Sequence, residues 1–393
     1  MGILLVSPFL PHRRAPHAGG RFVAWLLEEL GRRHDLFLVT RVSPDEAPHL
    51  EEVRETCREV RPLFHDIPSG APGRGAERIV SYVRLGRDAA RWVGERRFDL
   101  VQVEHVEAAV AFRPESGTPW ILDCHDILTK PKERVYRSSE GIPRVKGWLA
   151  YRAYREMERG VLRRCSMAFV RSGIDREYLE ALGANVPVRI VPHPCGLDLS
   201  GGERRHDERT ILFLGALHRP LNVDAVLFFA RKVFPLVREM FPEARFVVAG
   251  ADPPEVLMGL DSDAGGIRVV GSVDTVEPSY LSATVFVAPI LVGGGIIVKI
   301  LDAMAAGVPV VTTSFGNEGI CAEPGYDILV ADDPEDFARQ VALLLKDPEA
   351  NRRIGENGRA FVRRSFGREA IVETIFGAYR QILGCGPHTG AVS

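Results

Sequence analysis

The 393-residue sequence is 46% hydrophobic and 26% charged, an ordinary globular composition, and it is too long for one compact core, so two domains are expected. A formal net charge of −2 excludes a global field for nucleic acid, and no apolar run approaches the roughly 20 residues of a membrane span. Six cysteines without a CxxC pair read as reduced thiols, not a disulfide frame or a zinc site. The opening MGILLVSPFLPHRR breaks its short apolar run at Pro8, unlike a signal peptide, so a cytoplasmic protein is expected.

GILLV (Gly2–Val6) reads as a buried strand. Apolar residues at Phe22, Val23, Leu26, Leu27 and Leu30 then mark one face of a helix over Gly19–Arg33. DLFLVT (Asp35–Thr40), FDLVQVEH (Phe98–His105), WILDC (Trp120–Cys124), SMAFV (Ser166–Val170) and VRIV (Val188–Val191) continue the strands. Continuous apolar strands separated by helices imply a parallel sheet covered on both faces. LSGGERRHDER (Leu199–Arg209) is short, charged and glycine-bearing, and reads as a linker.

A second alternation begins at TILFLG (Thr210–Gly215). It runs through ARFVVAG, IRVVG, TVFVAP, VPVVTT and DILVA, and closes with helical patterns near Pro334–Lys346, Glu349–Arg364 and Arg368–Leu383. In doubly wound sheets ligands sit beyond the carboxyl ends of the strands. The loops of interest are therefore SPFLPHRRAPHAGG, HDILTKPKERVYRSSEG, GALHRPLN, PILVGGG and SFGNEGI.

One of these carries a constellation. Gly293, Gly294 and Gly295 stand between a strand and a helix, followed by Lys299 and Asp302. Glycine allows close backbone approach, and the unpaired N–H groups of a helix start suit a phosphate. Lys299, one turn in, reaches the same phosphate. Asp302, on the same side, has the chemistry to accept the hydroxyls of a ribose. Read from the residues, this is a nucleoside diphosphate site, or else a glycine turn with a solvated lysine.

The order of FLGALHRPLNVDAVLFFARKVFPLV, ARFVVAGADP, VFVAPILVGGGIIVKILDAMAAGVPVVTTSFGNEGI and DILVADDPEDFARQVALLLKDPEANRRIGENGRAFV resembles the retaining glycosyltransferases of the group 1 type. That family has the GT-B fold, two doubly wound Rossmann-like α/β domains facing a cleft, with a C-terminal helix returning to the first. The resemblance implies an acceptor domain at 1–195, a linker at 196–208, a nucleotide-sugar domain at 209–366, the returning helix at 367–384 and a tail at 385–393. It implies His125, Gly294 and Gly295 beside the transferred sugar. It puts Gly215, His218, Arg219, Gly293, Lys299, Asp302 and Glu318 on the donor, and Gly19 and Gly20 on the acceptor side.

It also implies a UDP- or GDP-linked sugar as donor substrate, no cofactor and no metal. The acceptor would be a carbohydrate, a lipid-linked glycan or a natural product. The sequence departs from the family where two Glu are usual: Gly294 replaces the first and Asp302 the second. Ala216-Leu217 and Pro220-Leu221 stand where a basic pair is common, and Ile297 where an Arg is frequent. These losses leave a catalytically silent binding protein on the same fold as the rival reading. A dinucleotide oxidoreductase is disfavoured, because no G-x-G-x-x-G follows the first strand.

Three further features carry competing readings. Asp261–Asp263 is similar to the metal-binding acidic motif of another glycosyltransferase fold, but reads as a solvated turn. Glu318 reads either as a donor contact or as a helix-start charge. Lys130–Cys165 holds eleven Lys or Arg against four Glu, with Trp148, Tyr151 and Tyr154 interleaved. It reads as a basic, aromatic helix, either solvated or in peripheral contact with an anionic membrane.

Overall fold

The structure is a computed structural model that describes residues 1–15, 18–67, 75–115, 117–195, 209–273, 275–291 and 296–384. The expectations for Gly293, Gly294 and Gly295, for the linker and for the tail lie outside the described residues. The chain divides into two units, Met1–His193 with Val372–Ser393, and Pro194–Ile371.

The first unit is built on a seven-stranded parallel sheet in the order β3-β2-β1-β4-β5-β6-β7. Its strands are β1 (Gly2–Ser7), β2 (Asp35–Val42), β3 (Glu59–Phe64), β4 (Leu100–Glu104), β5 (Trp120–Asp123), β6 (Met167–Val170) and β7 (Val188–Ile190). β3 escaped the sequence pattern for a physical reason. EVRPLF alternates charge with a proline and is only half-buried along its length, which suits an edge strand. The inner strands are mostly apolar and almost wholly buried. Leu4 and Val6 of β1 pack on Trp92, Phe98 and Phe112.

The second unit has six parallel strands in the order β10-β9-β8-β11-β12-β13. They are β8 (Thr210–Leu214), β9 (Arg245–Ala249), β10 (Ile267–Gly271), β11 (Val285–Ala288), β12 (Val310–Thr312) and β13 (Leu329–Val330). β8 shows why such strands read as continuous apolar runs. Ile211 and Phe213 enter one core with Phe229, Phe246 and Phe337. Leu212 and Leu214 enter a separate one with Phe286, Leu301 and Ile328. A side chain on either face is thus buried, each contributing roughly 1.5–3 kcal/mol.

Strand order reverses between β1 and β4 in the first unit and between β8 and β11 in the second. These are the switch points where a doubly wound sheet opens a crevice at its carboxyl edge. The stretch after His125 is not one helix. It forms two, Thr129–Ser138 and Gly141–Leu162, and Gly141 at the break has φ +58°, a conformation that favours glycine.

Candidate active site

In the second unit, Gly215 follows β8 and Lys299 lies in the first turn of the helix Val298–Ala305. The fold brings them together. Lys299 Nζ donates to Asn222 Oδ1 at 2.6 Å and sits 4.3 Å from the centre of the buried Phe213 ring. Asn222 is itself fixed, since its amide donates to the Ala216 carbonyl at 2.7 Å. A Cβ on Gly215 would stand 2.5 Å from Lys299 Nζ, so any larger residue there would displace the lysine head. Burial, and after it the charge of Arg219, push the Lys299 ammonium down to about 7. The partly buried ammonium has exchanged some of its water for one neutral partner, and among the described residues no carboxylate pairs with it.

Asp302 is half-buried one turn further on, and the Cys195 thiol donates to its Oδ1 at 3.4 Å. Burial, and then the Asp302 charge, push the nearby Tyr280 phenol up. His218 Nδ1 lies 3.7 Å from Asp252, on an exposed edge. Arg219 stands at the N-cap position of the helix Pro220–Phe228 without a capping bond from its side chain. Glu318 is exposed and is the last residue of the helix Ser314–Glu318, which corrects the helix-start reading. Asp261–Asp263 lie in an exposed turn closed by the Ser262–Ile267 bridge.

In the first unit, His125 follows β5 and is buried. Its Nε2 lies 2.7 Å from Glu104 Oε2, at the end of β4. Gly19, in the helix that follows β1, approaches the opposite ring edge; a Cβ there would stand 3.2 Å from His125 Nδ1. Gly20 lies in the same helix. The fold places Gly19 beside His125, a neighbourhood the sequence did not indicate.

Around His125 is a polar core that sequence reasoning missed. Gln102 Nε2 donates to Glu104 Oε1 at 2.7 Å, and Tyr379 Oη, from the last helix, donates to Gln102 Oε1 at 2.6 Å. Asp123 Oδ1 accepts from Arg171 at 2.6 Å, and Arg171 also holds the Val191 carbonyl at 2.6 Å. Burial, then the Asp123 charge, raise the Glu104 carboxyl well above the usual range. Burial also raises Asp123, against the pull of Arg171.

His105 stacks on His125 with ring centres 4.3 Å apart, and its φ of +66° is a strained backbone at the end of β4. Burial and then Arg171 keep the neighbouring His193 imidazole neutral, well below its ordinary value. Glu158 accepts the N–H groups of Leu128 and Thr129 at 2.6 and 3.1 Å, which pins the turn after His125. Ligand atoms of Glu104, Asp123 and His125 lie within 4.8 Å of one another. A cation would find suitable atoms there, although Arg171 already supplies charge to Asp123.

Comparison with known proteins gives the arrangement a lineage. A model described as glycosyl transferase 4-like domain matches residues 18–196, and one described as glycosyl transferases group 1 matches residues 208–347. Together they span well over half the chain. A phosphatidyl-myo-inositol mannosyltransferase of Mycolicibacterium smegmatis is 27% identical over 329 residues, 78% of each protein. An uncharacterized 44.6 kDa protein in the cps region of Klebsiella pneumoniae is 26% identical over 173 residues. That alignment spans 42% of this chain and 45% of that protein, under half the length of the relative.

Among solved structures, sucrose-phosphate synthase from Thermosynechococcus elongatus superposes with a TM-score of 0.66 at 18% identity, over 98% of this chain and 100% of that one. HepE of Anabaena, solved with UDP, gives a TM-score of 0.67 at 13% identity, over 97% of this chain and all of that one. At such identities these two establish the fold. With both family models matched in order on two such sheets, the chain belongs to the group 1 glycosyltransferases of GT-B fold.

Proposed function

We propose that this chain transfers a sugar from a nucleoside diphosphate sugar to a hydroxyl acceptor, with retention at the anomeric carbon and without a metal. The observation that carries the reading is the partly buried Lys299, held by Asn222 against Gly215 at the switch point of the second sheet. A lysine with one neutral partner and, among the described residues, no carboxylate to neutralise it is prepared for a diphosphate. Charge-assisted bonds from Lys299 and Arg219 would stabilise the leaving group as its charge develops. The HepE structures hold UDP and UDP-glucose, which favours a UDP-type donor.

In this reading His125 serves the transferred sugar. Its Nε2 is engaged by Glu104, which fixes the ring, and the opposite edge faces Gly19. Glu104 is then a positioning residue, held in turn by Gln102 and Tyr379. Retention rests on the family resemblance; Glu104 and Asp123 are fully buried and tied to His125 and Arg171. The decisive experiment incubates the protein with UDP- and GDP-sugars and candidate acceptors, with and without EDTA, and reads the anomeric configuration of the product. Nucleotide binding without turnover would favour the silent binding protein, which the missing carboxylate at Gly294 also allows.

Two variants test the assignments. His125→Ala is expected to lower kcat by at least tenfold while UDP or GDP affinity stays within twofold; unchanged turnover would remove His125 from the reaction. Asp302→Ala is expected to cost about 1–3 kcal/mol of donor affinity by leaving ribose hydroxyls unpaired. Calorimetry with 2′-deoxy nucleotides should show a smaller loss. Unchanged affinity for both sugars would mean that Asp302 does not bind the ribose.

A further inference from the structure

The two helices after His125 leave an apolar face outside the fold. Ile142, Val145 and Leu149 are 74%, 59% and 56% exposed, at the i, i+3, i+7 spacing of one helical stripe. Trp148 beside them and Val135 on the neighbouring helix are 44% and 54% exposed. A groove of about 400 Å³ runs between the helices, lined by Lys132, Val135, Ile142, Pro143, Lys146 and Gly147, together with Ala150.

This face is not a core turned outward by default, because the helix pair already has an interior. Tyr136 and Tyr151 stack with centres 5.9 Å apart. Gly147 brings the second helix against Tyr136, where a Cβ would meet its Cα at 3.1 Å. Glu158, Val161 and Leu162 anchor the other end, all buried. The outward aliphatic residues leave more than half of their surface outside that interior.

Charge selects the occupant. Lys132–Arg152 carries six Lys or Arg against two Glu in a chain whose net charge is −2. One of those acids, Glu133, is bound by Arg137 and Tyr178. Long basic side chains rim the stripe, with Arg152 5.9 Å from the Trp148 ring and Arg144 5.5 Å from the Tyr136 ring. Aliphatic side chains ringed by cations, with a tryptophan at the margin, match the boundary between acyl chains and anionic headgroups. No helix among the described residues is long and apolar enough to cross a membrane.

We propose that the paired helices Thr129–Ser138 and Gly141–Leu162 dock this chain on an anionic lipid surface, the stripe Ile142-Val145-Leu149 entering the acyl boundary and Arg144, Lys146 and Arg152 meeting headgroups. The inference does not rest on the transferase reading. If both hold, the acceptor is a molecule found at a membrane.

The test is flotation of the full chain with vesicles of phosphatidylcholine alone and of phosphatidylcholine with phosphatidylglycerol, at low and high salt. Binding is expected only to the anionic vesicles, and more weakly in high salt. Arg144→Gln with Lys146→Gln should weaken binding about 30-fold, at ~1 kcal/mol for each surface cation. Ile142→Ser with Leu149→Ser should weaken it at least tenfold. All four positions are exposed, so unchanged thermal melting will show intact folding.

No binding to the anionic vesicles would overturn the proposal, as would equal binding to both vesicle types. A dimer abolished by Ile142→Ser with Leu149→Ser would assign the face to a second copy and overturn it as well. Nucleotide-sugar turnover measured on the same samples reports separately on the transferase reading.

Discussion

Replacing Arg171 with leucine is expected to destabilise the first unit by about 3–5 kcal/mol, a large fraction of what holds a domain together. Asp123 is fully buried, and the two groups meet at 2.6 Å. The guanidinium also holds the Val191 carbonyl and lies 4.6 Å from the Phe22 ring. Leucine would leave a carboxylate in an apolar interior, beside the second buried carboxyl of Glu104. Removing both charges, as Asp123→Leu with Arg171→Leu, should recover much of the loss, because the uncompensated charge is what costs most. Urea denaturation of the single and double variants decides it. A single-variant loss below about 1 kcal/mol would mean that water reaches the pair.

The second large effect concerns Lys299 and pH. Lys299→Ala is expected to cost about 1.5–3 kcal/mol of nucleoside diphosphate affinity, with little change for the nucleoside. Equal losses for both would refute the phosphate assignment. The depressed ammonium adds a signature in two parts. In the free protein Lys299 loses its proton near 7, whereas an arriving diphosphate favours the charged form. Above pH 7, binding must therefore take up a proton, and affinity should fall as pH rises. Calorimetry in buffers of different ionisation enthalpy reads that proton directly, and the alanine variant should not show it.

For folding the sign is opposite. The unfolded lysine keeps its proton to the ordinary value of 10.5, while the folded one sheds it near 7. Between those limits the unfolded state holds more protons, so this group makes the unit more stable as pH rises through that window.

How much of this was readable in the sequence depended on what each residue type had to report. β1 and β8 were legible because residues on both faces are buried, which leaves an unbroken apolar run. β3 was not, since an edge strand tolerates Glu59, Arg61 and Pro62. The basic helix was read as one piece because Gly141 carries no periodicity of its own; its positive φ is a backbone fact. Lys299 and Asp302 were found by their spacing from a helix start.

Asn222, which fixes Lys299, was not found, because the two are 77 positions apart and strand order alone makes them neighbours. The same holds for Arg171 with Asp123 and for Tyr379 with Gln102. A charged or polar residue inside an apolar strand signals only that some partner exists. Glu104 in LVQVE and Asp123 in WILD carry that signal. Naming the partner requires the fold.

The helix Arg368–Ile382 is where the division between the units falls, between Ile371 and Val372. Ile375, Phe376 and Tyr379 are buried and complete the unit begun by the first residues of the chain. During synthesis, the unit translated first must therefore wait, its interior open, until the ribosome has made all of the other. At about 5–20 residues per second, the intervening 178 residues, Pro194–Ile371, hold it unfinished for roughly 9 to 36 seconds. The second unit, continuous in sequence, can complete its core ahead of it. Order of birth and order of completion are reversed, and stalled or truncated chains would present the interior of the first unit to chaperones and proteases.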